Sequence, residues 1–254
     1  MNSKAQLIFL FFFALLQSNY GFVNIGKYLK VCERNSVDVN DCLVEAVQEG
    51  LADMANGIPA LNIPAIDPHH QKEMRIDYKK NQIQVHFVGK DIYFAGLKSS
   101  TVHDVRLRAD EDKFHMEVDM TTPLVQIRGK YHADSRYNSM KIQAHGSFFS
   151  NWTNLVYTWK IDGVPEKKEN GTFIKVTNFY MRPDVGNVKT DLTNNNPNSK
   201  QWSDLGTTLT NDNWRVLYRE LLPFTQISWN KTGTKIANKI FLKVPYKQLF
   251  PIKP

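Results

Sequence analysis

The sequence predicts an α+β fold: a long C-terminal helix wrapped by a curved antiparallel sheet, with a short helix near the N-terminus. Three observations predict it. The last apolar run, residues 211 to 244, carries Trp214, Leu217, Leu221, Phe224 and Ile227, then Ile236, Ile240 and Val244, at helical spacing along one stripe. Residues 72 to 193 alternate with the period of two that marks strands with one buried face. A helix of roughly 30 residues is about 45 Å long, so something must cover its stripe, and the strands are the available partner. An all-β sandwich would explain the alternation but leave the helix without a partner.

Residues 1 to 21 combine Lys4, the apolar run Leu7 to Leu16 and a polar Gln-Ser-Asn end, the layout of a secretory signal peptide. Its ten apolar residues are too few to span a bilayer, which takes roughly 20, and no later segment is both long and uncharged enough. The expected organisation is therefore a signal peptide over 1–21 and a single domain over 22–254. The two cysteines, Cys32 and Cys42, lie ten positions apart, and in an oxidising route an even pair is most simply one local disulfide tying the N-terminal arm to the first helix. Three N-glycosylation triplets, at Asn151, Asn170 and Asn230, agree with secretion, and each requires an exposed acceptor.

The first helix starts near Asn40, with Leu43, Val47, Leu51 and Met54 at helical spacing, and ends at Gly57 and Pro59. Pro59, Pro64 and Pro68 then forbid helix through residues 57 to 68 and predict an extended apolar strap. In the strand region, Phe114, Met116, Val118 and Met120 point one way, and His115, Glu117 and Asp119 the other. Ile83, Val85 and Phe87 repeat the pattern, as do Val125 with Ile127, and Met140 with Ile142. Residues 194 to 203 read as a polar loop. Asn211 and Asp212 offer the N-cap of the long helix, Pro223 is expected to kink or split it, and Pro245 to stop it.

The formal charge of +7 becomes +6 without Lys4, and the surplus Lys is spread out rather than interleaved with aromatics as nucleic-acid binding requires. A receptor or membrane-surface contact stays open, while stable membrane insertion is not expected; the chain reads as a monomer. No His-Glu-x-x-His, no Gly-x-Ser-x-Gly and no glycine-rich phosphate loop occurs, so no metal, cofactor or catalytic set is assigned. Met116, Met120, Met140 and Met181 beside aromatic residues suit an adaptable apolar pocket, although plain core packing explains the same stripes.

The cysteine pair in YLKVCERNSVDVNDC, the strap GIPALNIPAIDP, the central PLVQIRGKY and the ending NKIFLKVPYKQLFP together resemble the insect takeout and haemolymph juvenile-hormone-binding protein family. The resemblance covers essentially the whole chain after the signal peptide. It implies a secreted, non-enzymatic carrier with a long helix wrapped by a strongly curved sheet, a tubular fold enclosing an elongated hydrophobic ligand such as a terpenoid or a fatty acyl compound. The hormone carriers of the family tend to have a second disulfide, and this chain has cysteines for one, which favours the takeout-like branch. The sequence also has Ala144-His145-Gly146 where the family has a more glycine-rich step. Together with the inner-face alternation, the resemblance puts the ligand wall at Phe114, Met116, Val118 and Met120, at Val125, Ile127, Tyr131, Met140 and Ile142, and on the helix at Trp214, Leu217, Tyr218, Leu221 and Phe224. Tyr131 and Tyr218 are the candidates for orienting the ligand. The alternative is an extracellular protein-interaction module with a solid core.

Overall fold

The structure is a computed structural model that describes residues 25–59, 62–110 and 112–252; the expected signal peptide lies outside the described residues. After helix α1 (Val39–Asp53) come seven strands: β1 (His69–Lys80), β2 (Ile83–Ala95), β3 (Thr101–Ala109), β4 (Phe114–Tyr137), β5 (Met140–Lys168), β6 (Gly171–Tyr180) and β7 (Asp184–Leu192). Helices α2 (Lys200–Asp212), α3 (Trp214–Phe241) and the short α4 (Tyr246–Leu249) follow. All seven strands belong to one antiparallel sheet in the order β1-β2-β4-β5-β6, with β3 beside β4 and β7 beside β5.

The hairpin of β4 and β5 is the spine. Its register runs unbroken from Phe114–Gly163 to Tyr137–Met140. One half of it, near Phe114, is flanked by β3 and β6; the other, near Tyr137, is flanked by β2 and β7. Between the halves both strands exchange faces. Inward-facing residues of β4 are even-numbered up to Thr122 and odd-numbered from Val125, while on β5 the inward row steps from Trp152 to Leu155. Pro123, which has no N–H to give the ladder, and Asn154, at a left-handed φ of 54°, sit opposite one another at the crossing point. A residue of each strand is thereby spent on turning the sheet.

The long helix spans the open side of this curved sheet, as the sequence predicts. It lies along β6, where Asn238 bonds Val176 through both atoms of its amide. It also reaches the opposite edge strand, β1, through Gln71 with Ser228 and Tyr78 with Glu220. The free edges of β3 and β7 receive amides in the same way. Gln48 of α1 accepts from Val102 N and donates to Ser100 O, and Asn211 of α2 accepts from Thr190 N and donates to Thr190 O. A side-chain amide carries the same donor and acceptor pair as a peptide unit, so each helix answers the unpaired groups of an edge strand. Cys32 and Cys42 form the disulfide, with Cα atoms 5.9 Å apart, and tie the N-terminal arm to α1.

Four expectations are corrected. The strap is not extended: Ile58 and Ile63 pair with one another, Asn62 takes a left-handed φ of 56°, and the segment folds back with both isoleucines buried. Residues 200 to 212 form a helix where the end of a polar loop was expected. Its Thr, Ser and Gly content is a poor helix signal, and it is held by tertiary contacts such as buried Ser203 against Tyr131. The break in the helical end falls at Asn213, the residue before α3, and not at Pro223, which lies inside α3 on its exposed side. Finally, the buried row of α3's first half is Trp214, Tyr218 and Leu222, one position on from the expected Leu217, Leu221 and Phe224; Ile227 is 71 % exposed.

Candidate functional site

The inward side chains of the sheet fall into two regions. In the half flanked by β3 and β6, packing is closed: Phe114, Met116, Val118 and Met120 are buried in one cluster with Leu155, Tyr157, Ile161, Val176 and Ile240. The Phe114 ring meets Phe241 at 5.2 Å and Phe250 at 5.5 Å between centroids, an edge-on and a tilted contact that leave no gap beside it. A buried hydroxyl set, Ser100, Thr122 and Tyr157, closes this region towards the crossing point: Thr122 Oγ1 lies 2.6 Å from Ser100 Oγ and 2.8 Å from the Tyr157 hydroxyl. Burial pushes the Tyr157 phenol up from its ordinary pKa. The structure therefore places Phe114, Met116, Val118 and Met120 in solid core.

The other half is built differently. Val125, Ile127, Ile142, Val85, Phe87 and Phe148 all point inward, yet each stays only half-buried. Phe87 stacks on Tyr131 at 5.9 Å and meets Phe148 at 6.3 Å, so the aromatic residues form one wall and leave the aliphatic ones open. Helix α2 covers the wall at Tyr131, whose hydroxyl donates to Thr193 O at 3.0 Å and accepts from Ser203 Oγ at 2.9 Å. Trp152 packs edge-on against Tyr218 of α3 at 5.7 Å, and Tyr218 donates to Pro183 O. Burial pushes the Tyr218 phenol up to about 12, so it remains protonated. Both tyrosines thus commit their O–H donors to the protein, tying helices to the sheet.

On α3, Leu217, Leu221 and Phe224 form one row. These positions share a helix face with Glu220 and Ser228, the two residues that reach Tyr78 and Gln71 of β1. That face therefore meets β1, whereas Trp214 and Leu222, on an adjoining face, are 8 % and 7 % exposed. Leu217 is 36 % and Phe224 38 % exposed. Of the expected ligand wall, Val125, Ile127 and Ile142 are half-buried on the inner face of the sheet, Leu221 is half-buried and Leu217 and Phe224 are exposed on α3, and Tyr131 and Tyr218 tie helices to the sheet. Trp214 belongs to the packed side, and Met140 is exposed at the hairpin tip. Val85, Phe87 and Phe148 were missed as wall residues. The alternation of β2 placed the first two inward, and Phe148 follows from its position on the inward row of Ile142.

The outer face carries an ion-pair network beside exposed apolar residues such as Phe149 and Val156. Arg106 bonds Glu117 at 2.8 Å and Asp119 at 2.6 Å, and Lys160 meets Glu117 at 2.9 Å. These cations hold the Glu117 carboxyl down at about 2, Lys160 first and Arg106 second. His115 turns to Asp162 at 2.7 Å, so the row His115, Glu117, Asp119 is an ion-pair ladder across strands. A concave region of about 650 Å³ near the far hairpin turns is lined by charged residues, among them Asp77, His86, Asp134, Arg136 and Lys141, together with Tyr78 and Val85. Among the described residues no group of His, Cys, Asp or Glu is arranged to hold a metal ion, and no helix is long and apolar enough to cross a membrane.

A helix laid across a curved antiparallel sheet, with one half of the interior solid and the other walled by half-open apolar side chains, defines an α+β protein of the helix-wrapped class. The chain belongs to the haemolymph juvenile hormone binding protein family, whose model matches residues 8–251. It is similar to the circadian clock-controlled protein daywake of Drosophila yakuba, at 21 % identity over 92 % of this chain and 90 % of that one. The Drosophila melanogaster daywake is 18 % identical over 86 % of each chain. Takeout 1 of Epiphyas postvittana has the same fold, with a TM-score of 0.73 and 21 % identity, covering 88 % of this chain and all of that one.

Proposed function

We propose that the protein is a secreted, non-enzymatic carrier that holds one elongated hydrophobic molecule, a juvenile-hormone-like terpenoid, a fatty acid or a related lipid, between α3 and the half of the sheet built from β1, β2, β4 and β5. The observation that carries this reading is the contrast within single strands. On β4, Met116, Val118 and Met120 are sealed, whereas Val125 and Ile127, equally apolar and equally inward, are left half-open. A sequence selected only for a solid core would close both halves, because each exposed apolar Å² forgoes about 25 cal/mol of burial. Membership of a family named for hormone binding supports the same reading.

Orientation of the ligand does not rest on Tyr131 or Tyr218 as free donors, since both protons are used within the protein. Selectivity then follows from length and girth, so several apolar chains of similar shape compete. The test is displacement: a fluorescent fatty acid should bind saturably and be competed by terpenoid and fatty acyl compounds, and lipid should appear by native mass spectrometry of protein from its natural source. Absence of both would favour an extracellular interaction module with no small ligand.

A further inference from the structure

Building on the carrier reading, we propose that the seam between α3 and β1 is the port through which the hydrophobic ligand enters and leaves. The helix closes the curved sheet along two seams, and they are made differently. On the β6 side the backbone of the strand itself is bonded: Asn238 holds both the N–H and the carbonyl of Val176 at 2.8 Å, and Asn230 accepts from Phe179 N and donates to Asn178 Oδ1. Between these clips, Gly233 brings the helix so close to Phe179 that an added Cβ would lie 2.4 Å from its ring. A seam of this kind opens only by unfolding.

On the β1 side the helix meets side chains. Gln71 Nε2 donates to Ser228 Oγ at 3.4 Å while also donating to Glu73 O, and the Tyr78 hydroxyl donates to Glu220 at 3.3 Å, both at the long end of the hydrogen-bond range. From Gln71 to Tyr78 the strand advances about 23 Å. From Ser228 to Glu220 the helix advances about 12 Å. Strand and helix therefore do not run side by side between the two contacts, which are made by side chains and not by the strand's backbone. Between the two contacts stand Leu221 and the partly exposed Phe224, on the same helix face as the two bonding residues. The seam is thus bridged by side chains, among them Gln71 with Ser228 and Tyr78 with Glu220, with apolar residues of the helix standing between them, and it leads to the proposed cavity.

The test is to lock each seam. The native cysteines are paired, so Gln71→Cys/Ser228→Cys introduces the reactive thiols, to be bridged by a short bis-maleimide. Tyr180→Cys/Gln226→Cys, across a 3.1 Å contact on the β6 seam, is the matched control. With a dansyl fatty acid as probe, bridging the β1 seam should slow uptake and release by at least about tenfold while changing Kd less than about threefold, and bridging the β6 seam should leave both rates within about twofold. Unchanged rates in the β1-bridged protein, or equal slowing in the control, overturn the port. A well-folded, unbridged protein that binds no probe overturns the carrier reading itself. Tyr78→Cys/Glu220→Cys with a longer linker repeats the lock if the first pair does not fold.

Discussion

Asn238 of α3 stands in for a strand: its Oδ1 accepts from Val176 N and its Nδ2 donates to Val176 O, each at 2.8 Å, along the free edge of β6. No apolar residue of similar volume can do both. Asn238→Leu should leave a half-buried N–H and carbonyl unanswered and cost about 2 to 4 kcal/mol, while Asn238→Asp, which keeps the acceptor and loses the donor, should cost less, about 1 to 2. Urea unfolding of the two variants measures the difference. Equal cost would mean that the amide contributes packing and not hydrogen bonding.

The division of the interior into a sealed and a half-open region separates two kinds of apolar substitution. Met120→Ala in the sealed region should cost about 2 to 5 kcal/mol without dependence on ligand. Phe224→Ala should cost the apo protein less than about 1 kcal/mol, since the ring is already 38 % exposed, and should weaken binding of a fatty acid by about 1 to 3 kcal/mol. Thermal melts with and without ligand, together with a displacement titration, check both. A stable Phe224→Ala protein of unchanged affinity would remove α3 from the binding site.

The same comparison shows what the sequence discloses. The period of two in β4 and the helical period after Trp214 specified sheet and helix, because each follows from burying one face. Even the exchange of faces is visible, since the inward row passes from Met120 to Val125 with Pro123 between. Which inward residues are sealed is not visible: Val118 and Val125 are the same residue type in the same strand, yet Val118 is fully buried inside the core cluster and Val125 packs only partly buried against it. The one-position error along α3 has a similar origin. Its first half is apolar on two adjoining faces, and spacing alone does not say which is packed. Helix α2 was hidden by residues whose helical state depends on partners distant in sequence, Tyr131 and Thr190.

Acid should destabilise the protein through its outer face. Glu117 is held at about 2 by Lys160 and Arg106, and Asp119 is also held low, chiefly by Arg106. A carboxylate whose pKa is depressed in the folded state contributes stability above its ordinary value and loses it as pH falls towards the folded one. For Glu117 that window runs from 4.5 down to about 2. Tm should therefore decline through this range, and Glu117→Gln should make the decline shallower while lowering Tm at neutral pH. A variant with the parent's slope would show that solvent screens the ladder too strongly for it to matter.

Glycosylation should follow the geometry of the three acceptors. Asn170 is exposed in the turn between β5 and β6, next to Gly171 at a φ of 138°, and nothing packs over it. Asn151 is half-exposed on β5, with its Oδ1 accepting from Gln126. Asn230 differs from both: its Nδ2, the atom a glycan would occupy, donates to Asn178 Oδ1 at 2.7 Å, and its Oδ1 accepts from Phe179 N and from Thr234 Oγ1. The expected exposed acceptor is not there, because α3 turns this side chain onto β6. A sugar at Asn230 would break the clip and push the helix off the strand, so chains modified there should fail to fold and be lost before secretion. Peptide mapping of protein secreted from insect cells should find glycan at Asn170 and an unmodified Asn230. Asn170→Gln should remove mass without lowering Tm, whereas Asn230→Gln should lower Tm and remove none. A fully glycosylated Asn230 in soluble, folded protein would show that α3 does not sit on β6 at this point.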